Sequence, residues 1–421
     1  MPEKHKIERY REELMEGQFQ LSTVRYQKDA YITIEGKPNA DRFYIIQQGK
    51  VGISKEVVVA KEEGKILSPG DFFGVISTMS GHSHIENAQA LTDVVLVTVL
   101  KEQYGTLIQK SSQVAMKIIM QFSRQLRHLN ETLAGITLKK TTEIGPDYLF
   151  EVARYYSRQK QYSKALYSYT HYLKHCPNGE NAGAAQQRIA ELKAQVKEPI
   201  KEFGPGDINR TYRKDSLFFI EGEPGDEMFI IQKGSVKITK VVGDNEVLLA
   251  VLKAGDIFGE MALLENKPRG ATAVAYDECE VMMINRANFE QMIKTQPQLI
   301  TKVTTLLADR VWMIYKQLAN TLIVNPQGRM YDSLLIQLEK NRVPLDGQTP
   351  YTFNFGLQEL TNMVGLSDRD ARQAQGEILK NKNLQLVNEK IQVSTVGEVV
   401  KQAEYYRKMD RIEKARKETQ A

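Results

Sequence analysis

The sequence predicts a multidomain α+β protein in which two small antiparallel β-barrels of the jelly-roll type are each followed by a long helix. Three observations predict this architecture: the length of 421 residues, an internal repeat of β-rich segments, and two amphipathic helix patterns. A chain of this length exceeds what a single hydrophobic core usually holds, so several domains are expected. Hydrophobic content of 42% and charged content of 26% are those of ordinary globular proteins.

The repeat consists of two segments that align with each other. Residues 45–55 align without a gap with residues 230–240, and the run Gly-Asp-Phe-Phe-Gly at 70–74 aligns with Gly-Asp-Ile-Phe-Gly at 255–259. In both copies, short β-branched and apolar runs alternate with Gly, Pro and Asp turns, which is typical of small antiparallel barrels. We therefore expect one β-domain in residues 1–137 and a second in residues 198–323.

An amphipathic helix is predicted after each barrel. Its apolar residues recur at spacings of three and four, the pattern of paired helices. The first stripe is Ile119, Phe122, Leu126, Leu129, Leu133 and Ile136, and the second is Ile300, Val303, Leu307, Val311, Ile314 and Leu318. Packing of each helix on its own barrel is the alternative. Polar residues flank both stripes, which favours pairing within or between chains and a homodimer through the long helices.

Residues 255–272 carry the strongest chemical signal in the chain. A glycine turn, a glutamate, a short apolar helix and a proline-arginine step can together hold a phosphate joined to a ribose. The free amides at the start of a helix form an anion site, and an arginine adds charge-assisted hydrogen bonds to a phosphate. Glycine at 259 and 270 allows the backbone to approach a sugar-phosphate closely.

This segment resembles the phosphate-binding cassette of the cyclic-nucleotide-binding domain family. The resemblance implies that Arg269 binds the cyclic phosphate and that Glu260 accepts from the ribose 2′-hydroxyl. The implied ligand site is Phe258, Gly259, Glu260, Met261, Ala262, Arg269, Gly270, Ala271 and Thr272. The expected effector is a cyclic nucleotide, with no catalytic cofactor.

The resemblance also favours cAMP as the effector. Family members that prefer guanine often carry Thr directly after the arginine, whereas this chain has Gly270. The positions that read adenine in the bacterial cAMP receptor align with Ile314 and Tyr315. Tyr315 or Trp312 could stack on a purine, although an aromatic residue on this helix can equally be core. Tyr315 is therefore included in the predicted ligand site.

The first copy departs from the cassette at its chemical positions. Val75 stands where the second copy has Glu260, and His84 stands where it has Arg269. Glu86 adds a negative charge at the place of Ala271, where an anion would lie. These changes predict a repeat that binds no cyclic mononucleotide. A structural or docking role is favoured, and binding of a different ligand is the alternative.

Residues 146–197, between the copies, resemble one tetratricopeptide repeat followed by a capping helix. Ala153, Tyr156, Ala165, Tyr169 and Pro177 fall on the small, aromatic and proline positions of that repeat. A single repeat cannot bury its own faces, so it must pack on its neighbours. We expect a helical spacer between the two sensors rather than a peptide-binding groove.

The C-terminal part, 324–395, resembles the winged helix-turn-helix of the Crp/Fnr regulators, and 396–421 follows as a charged helical tail. The resemblance implies that Arg369, Arg372 and Gln373 contact DNA from the recognition helix. Residues 325–395 contain eight basic and eight acidic residues, so the module lacks the positive excess that dominates DNA affinity. The tail adds modestly basic charge.

Composition excludes several other classes of protein. Net charge is only +5, which argues against wrapping by nucleic acid or lipid, and Cys176 and Cys279 have no metal-ligand spacing. There is no signal-peptide pattern in residues 1–20 and no run of roughly 18 apolar residues, so a cytoplasmic protein is expected. No set of catalytic residues is apparent, so no enzyme is expected. The prediction is a cyclic-nucleotide-dependent Crp/Fnr-type transcription regulator; a nucleotide-controlled protein-interaction adaptor that does not bind DNA is the alternative.

Overall fold

The computed structural model places most of the chain in two compact units. It describes residues 21–38, 40–55, 65–138, 147–196, 200, 203–204, 206–242, 245–260, 263, 268–285, 289, 291–292, 295–345, 348–366 and 368–420. One unit comprises residues 99–307 with 21–22, and the other comprises 23–98 with 308–420. The boundary between them falls inside the second long helix, within the predicted 198–323 domain.

The first repeat forms two four-stranded antiparallel sheets. Its strands are β1 (Ser22–Tyr26), β2 (Tyr31–Thr33), β3 (Arg42–Gln48), β4 (Val51–Ser54), β5 (Lys65–Leu67), β6 (Phe72–Phe73), β7 (Asn87–Ala90) and β8 (Val94–Leu100). Their orders are β1-β8-β3-β6 and β2-β7-β4-β5. Helix α1 (Val75–Ser80) lies between β6 and β7. Alternate residues of the strands point inward, so Ile46, Val51, Ala88 and Leu96 form part of a buried core.

The second repeat has the same sheet topology. Its strands are β9 (Asn209–Tyr212), β10 (Leu217–Phe219), β11 (Glu227–Lys233), β12 (Ser235–Val242), β13 (Asn245–Lys253), β14 (Ile257–Phe258), β15 (Thr272–Ala275) and β16 (Cys279–Asn285). The orders β14-β11-β16-β9 and β10-β15-β12-β13 match those of the first repeat strand for strand. The duplication seen in the sequence therefore extends to the strand pairing.

The described strands do not close into a barrel in either repeat. Each repeat consists of two separate sheets, and the edge strands β6 and β14 have only two residues each. Such short strands supply too few ladder hydrogen bonds to join one sheet to the next. The expectation of closed barrels is corrected on this point, whereas the small antiparallel β-domains are as expected.

The two long helices bury most of their predicted stripes within one chain. Helix α2 (Tyr104–Lys110) leads into α3 (Ser112–Leu138), and α7 (Pro297–Thr321) follows the second repeat. Side chains that are at most 1% exposed are Ile119, Phe122, Leu126 and Leu129 on α3, and Ile300, Val303, Leu307, Val311 and Leu318 on α7. Leu133 and Ile314 are half-buried, and the side chain of Ile136 lies outside the described residues. Pairing of these stripes between two chains stays a prediction.

Three helices lie between the repeats, where a helical spacer is predicted. They are α4 (Tyr148–Arg158), α5 (Tyr162–His175) and α6 (Ala182–Lys193), hereafter the spacer. Tyr156, Ala165 and Tyr169 share one buried cluster with Leu217 and Val274 of the second repeat. The spacer therefore packs on that repeat, as a unit too small to bury its own faces must. The resemblance to a tetratricopeptide repeat stays a prediction.

The C-terminal module consists of helices and a β-hairpin. Its elements are α8 (Pro326–Lys340), β17 (Tyr351–Thr352), α9 (Leu357–Val364), α10 (Asp368–Ile378), β18 (Leu384–Val387), β19 (Lys390–Val393) and α11 (Val396–Gln420). The side chain of Asn325 caps α8 by accepting from Gly328 N, and Gly365 ends α9 with a left-handed φ of 61°. The helix pair and hairpin occur where the winged helix is predicted, and their identification as a winged helix remains a prediction. None of the helices described is long and apolar enough to cross a membrane.

Candidate functional site

Arg269 lies at the centre of the predicted cassette and is almost completely buried. Its side chain is 4% exposed, and its guanidinium lies over the ring of Phe219, 4.1 Å from the centroid. Nη1 donates to the carbonyl oxygens of Glu227 and Gly259, both at 2.7 Å. Nε is buried without a hydrogen-bond partner among the described residues. The guanidinium is thus fixed by the hydrogen bonds of Nη1, whereas the donor at Nε is unsatisfied.

Two glycines make room for this guanidinium. A Cβ at Gly225 would lie 2.5 Å from Arg269 Nε, and a Cβ at Gly259 would lie 2.8 Å from Nη1. Gly259 also has a φ of +78°, a conformation that side chains disfavour. In contrast, a Cβ at Gly270 would meet nothing within 4 Å, which leaves open space directly after the arginine. The need for Gly225 was not apparent from the sequence.

The remaining cassette residues surround the same place. Phe258 is buried in the core of the repeat, Glu260 is helical and 2% exposed, and Thr272 is fully buried at the start of β15. Ala271 is half-buried. The predicted contacts of Met261 and Ala262 lie outside the described residues. The structure therefore brings Arg269 and Glu260 onto one repeat, at the two ends of the cassette.

The charges of three carboxylates act on Arg269. Burial lowers the pKa of Arg269, while the charges of Glu223, Glu227 and Glu260 oppose that shift and favour the cation. Glu227 is itself engaged by Arg210, which donates to its two oxygens at 2.8 and 2.9 Å. Burial raises the pKa of Glu223 to about 7. The charge of Glu223 therefore changes around neutral pH.

The spacer contributes hydrogen bonds to this part of the repeat. Tyr148 donates to Glu221 Oε2 at 2.8 Å, and Tyr167 donates to Glu223 Oε1 at 3.3 Å. Tyr156 donates to Glu246 Oε1 at 3.1 Å. These contacts could not be predicted from the sequence, because a spacing pattern does not show which tyrosines of a helix face a neighbouring domain.

The corresponding place in the first repeat is filled by the chain's own side chains. Glu86 Oε1 accepts from Gly74 N at 3.2 Å, at the backbone amide that begins α1. His84 Nδ1 is buried without a partner among the described residues, and burial lowers the pKa of His84, so the ring is neutral near neutral pH. Val75 is 2% exposed. These contacts favour the interpretation that this repeat holds no anionic nucleotide.

Tyr315 and Trp312 contact the first repeat. Tyr315 donates to Glu35 Oε1 at 2.9 Å, and Lys55 Nζ lies 5.2 Å from its ring centroid. The ring of Trp312 stacks on His82 with centroids 3.9 Å apart. Both residues lie on the part of α7 that groups with residues 23–98. The contacts described for Tyr315 are thus with the first repeat, and its predicted contact with a purine stays a prediction.

The residues proposed for DNA contact lie on one outer face of α10. Arg369, Arg372 and Gln373 are exposed, whereas Ala374 and Ile378 are buried in the core of the module. Exposed Asp370 lies on the same helix. The face is therefore accessible, polar and of mixed charge. Among the residues that the structure describes, no group of three or more His, Cys, Asp or Glu could hold a metal ion.

Comparison with known proteins gives consistent matches. The sequence profile of the cyclic nucleotide-binding domain matches residues 23–111 and 209–296, one match in each repeat. The cAMP-activated global transcriptional regulator CRP of Pasteurella multocida is 30% identical over 171 residues, covering 40% of this chain and 79% of that protein. The CRP-like cAMP-activated global transcriptional regulator of Mycobacterium tuberculosis is 25% identical over 204 residues, covering 48% and 89%.

The chain also has a low overall similarity to solved structures. A CRP/FNR-family transcriptional regulator from Thermus thermophilus has 20% sequence identity and a TM-score of 0.33, with 47% of this chain and 98% of that one covered.

Proposed function

This chain belongs to the Crp/Fnr family of proteins with cyclic nucleotide-binding domains, and from that membership we propose that its second repeat binds a cyclic mononucleotide through Arg269 and Glu260. The observation that carries the proposal is the buried guanidinium of Arg269 with its unpartnered Nε. A buried donor without a partner is costly, and a phosphate oxygen is the acceptor that matches it best.

The ribose and the base are recognised by neighbouring residues. Glu260 accepts from the ribose 2′-hydroxyl, and the amides at the start of its helix face the phosphate. Phe258, Gly259, Met261, Ala262, Gly270, Ala271 and Thr272 complete the proposed site. No side chain at Gly270 offers a hydrogen bond to guanine, so cAMP is preferred over cGMP. Tyr315 is not assigned to this base, because its contacts described are with Glu35 and Lys55.

The first repeat has a docking role in this proposal. The ring of His82 stacks on that of Trp312. Arg342, which lies shortly after the end of α8, donates from Nη2 to Ser80 O at 2.8 Å. These contacts join the helix α1 of the first repeat to the helices that lead into the C-terminal module. The first repeat, which lacks the phosphate-binding residues, thus serves as the docking surface for the helices that lead into the C-terminal module.

Transcription regulation is the proposed output, with α10 as the recognition helix of a winged helix. The exposed side chains of Arg369, Arg372 and Gln373 support this role, since base edges and phosphates are read by such side chains. Exposed Asp370 favours the second candidate, an adaptor that binds a protein partner, because a carboxylate on that face repels phosphates.

Calorimetry of the full chain with cAMP, cGMP and a cyclic dinucleotide tests the ligand. We expect one site per chain and the highest affinity for cAMP; no heat with any of the three would disprove the proposal. A gel-shift series over several salt concentrations tests the output. DNA binding that weakens with salt and responds to cAMP supports the regulator. No DNA binding, or binding that responds neither to salt nor to cAMP, supports the adaptor.

A further inference from the structure

Two of the polar contacts between the spacer and the second repeat lie at the turn that precedes β11. Tyr148 binds Glu221 and Tyr167 binds Glu223, and both glutamates are buried. The same helices share a hydrophobic cluster with Leu217, Ile220 and Val274 of the repeat. The spacer therefore packs on the sheet β10-β15-β12-β13, whose strand β15 begins at Thr272 of the cassette.

Glu223 contacts both the spacer and the cassette. Its backbone oxygen accepts from Arg269 N at 2.8 Å, and its Oε2 accepts from Ile220 N at 3.0 Å. Its Oε1 accepts from Tyr167 of α5. Among the charges that favour the cationic form of Arg269, that of Glu223 is the largest. The hydrogen bond from Tyr167 is thus made to the same carboxylate whose charge favours the cationic form of Arg269.

We propose that Tyr167 of the spacer is a positioning residue of the nucleotide site, which acts through Glu223 on the availability of Arg269 for a cyclic phosphate. This inference rests on the proposed function of the second repeat. Tyr167 touches no nucleotide in this arrangement. Its hydrogen bond stabilises the ionised form of Glu223, and ionised Glu223 competes with the phosphate for the guanidinium.

The competition depends on the charge of Glu223 near neutral pH. Burial raises its pKa to about 7, so the carboxyl is partly protonated there. The charged or titratable groups that face it are Arg269, Tyr167 and Glu227, and Glu227 is paired with Arg210. The ring of Tyr167 also stacks on His171, with centroids 4.0 Å apart. Affinity for an anionic nucleotide should therefore rise as pH falls through about 7, where Glu223 loses its charge.

The coupling also works in the opposite direction. A bound phosphate satisfies Arg269 and favours the neutral form of Glu223, which weakens the bond that Glu223 accepts from Tyr167. Because linkage between two equilibria is reciprocal, nucleotide binding changes the contact of the spacer by the same factor as the spacer changes nucleotide binding. Occupation of the pocket therefore changes the strength of the hydrogen bond from the spacer to Glu223.

The test measures cAMP affinity of the full chain from about pH 6 to about pH 8.5, on both sides of the expected midpoint. Tyr167→Phe keeps the ring and removes only the hydroxyl. Because the ionised form of Glu223 loses a hydrogen bond, we expect this variant to bind about two- to threefold more tightly near pH 7.5, with the midpoint moved upward. Glu223→Gln should bind tightly with little dependence on pH.

Tyr148→Phe is the matched control. It removes a comparable tyrosine-to-glutamate hydrogen bond from the same spacer, but at Glu221. We expect wild-type affinity and midpoint. The inference is overturned if Tyr167→Phe behaves as the wild type, or if Tyr148→Phe shifts affinity equally, which would indicate a general loosening of the spacer. A wild-type chain that binds no nucleotide at any pH overturns the proposed function itself, and this coupling with it.

Discussion

The hydroxyl of Tyr148 donates to Glu221 Oε2 at 2.8 Å. In the first repeat, residues 35–38 form the same Glu-Gly-x-Pro turn as residues 221–224, and its Glu35 accepts from Tyr315 at 2.9 Å. The two repeats therefore receive a tyrosine at the same position of the fold, from α4 in one case and from α7 in the other. Each repeat is thus attached to a different helical element: the second to the spacer, and the first to the helix that leads to the C-terminal module.

Arg269→Ala should weaken cAMP binding by about 1.5–3 kcal/mol, the range for hydrogen bonds to charged groups. This loss corresponds to roughly ten- to a hundredfold in affinity, which calorimetry of the full chain can measure. Arg213→Ala is the control, since Arg213 is an exposed arginine of the same repeat. Unchanged affinity of the Arg269 variant would remove this residue from the site.

Gly225→Ala should displace the guanidinium of Arg269 and weaken nucleotide binding by about tenfold or more, because the bonds of Nη1 to two carbonyls would be distorted. The added Cβ would lie 2.5 Å from Arg269 Nε, whereas a Cβ at Gly206 would meet nothing within 4 Å. Gly206→Ala in the same unit should therefore bind normally. Equal affinities of the two alanine variants would contradict the role of Gly225.

Glu221→Gln should change how stability depends on pH. Burial raises the pKa of Glu221 to about 7 from an ordinary 4.5. The folded chain thus binds the proton more tightly than the unfolded one, so the free energy of unfolding falls as pH rises from about 4.5 to about 7 and is level above. The amide removes this contribution, and the variant should be more stable than wild type above pH 7 by up to about 3 kcal/mol.

Chemical denaturation of both chains at about pH 5 and about pH 8 measures this difference. Glutamine can still accept from Val241 N and bond with Tyr148, the two partners of Glu221. Glu278→Gln, at an exposed position of the same repeat, is the control and should leave the pH dependence unchanged. A Glu221 variant with the pH dependence of wild type would show that this carboxyl titrates normally.

Arg372→Ala should weaken DNA binding and reduce the slope of log affinity against log salt by about 1, as expected for the loss of one phosphate contact. The gel-shift series over salt described above measures both quantities. Arg25→Ala, at an exposed arginine of the first repeat, serves as the control and should keep the wild-type slope. DNA affinity of the Arg372 variant equal to that of wild type would remove Arg372 from the proposed DNA-contact residues.

The repeats and the cassette could be predicted from the sequence because their signals are local. The alternation of short apolar runs with glycine turns defines strands, and the run from Gly255 to Thr272 places a glutamate and an arginine at fixed positions of one β-helix-β segment. The profile match at 209–296 confirms the second cyclic nucleotide-binding domain, whereas the roles of Arg269 and Glu260 in its cassette stay predictions. Neither the repeats nor the cassette required knowledge of contacts between residues far apart in the chain.

Other features depended on contacts between residues far apart in the chain. The stripe on α7 identified a buried helix but not its neighbour, since an apolar face packs on any complementary apolar surface. The tertiary structure placed Trp312 and Tyr315 against the first repeat. It also placed Tyr167 beside Glu223, 56 positions away. The sequence by itself thus determined that the chain carries two repeats and that only the second has the cassette's arginine and glutamate. Only the tertiary structure decided which helices attach to each repeat, because long-range packing is not encoded in local spacing.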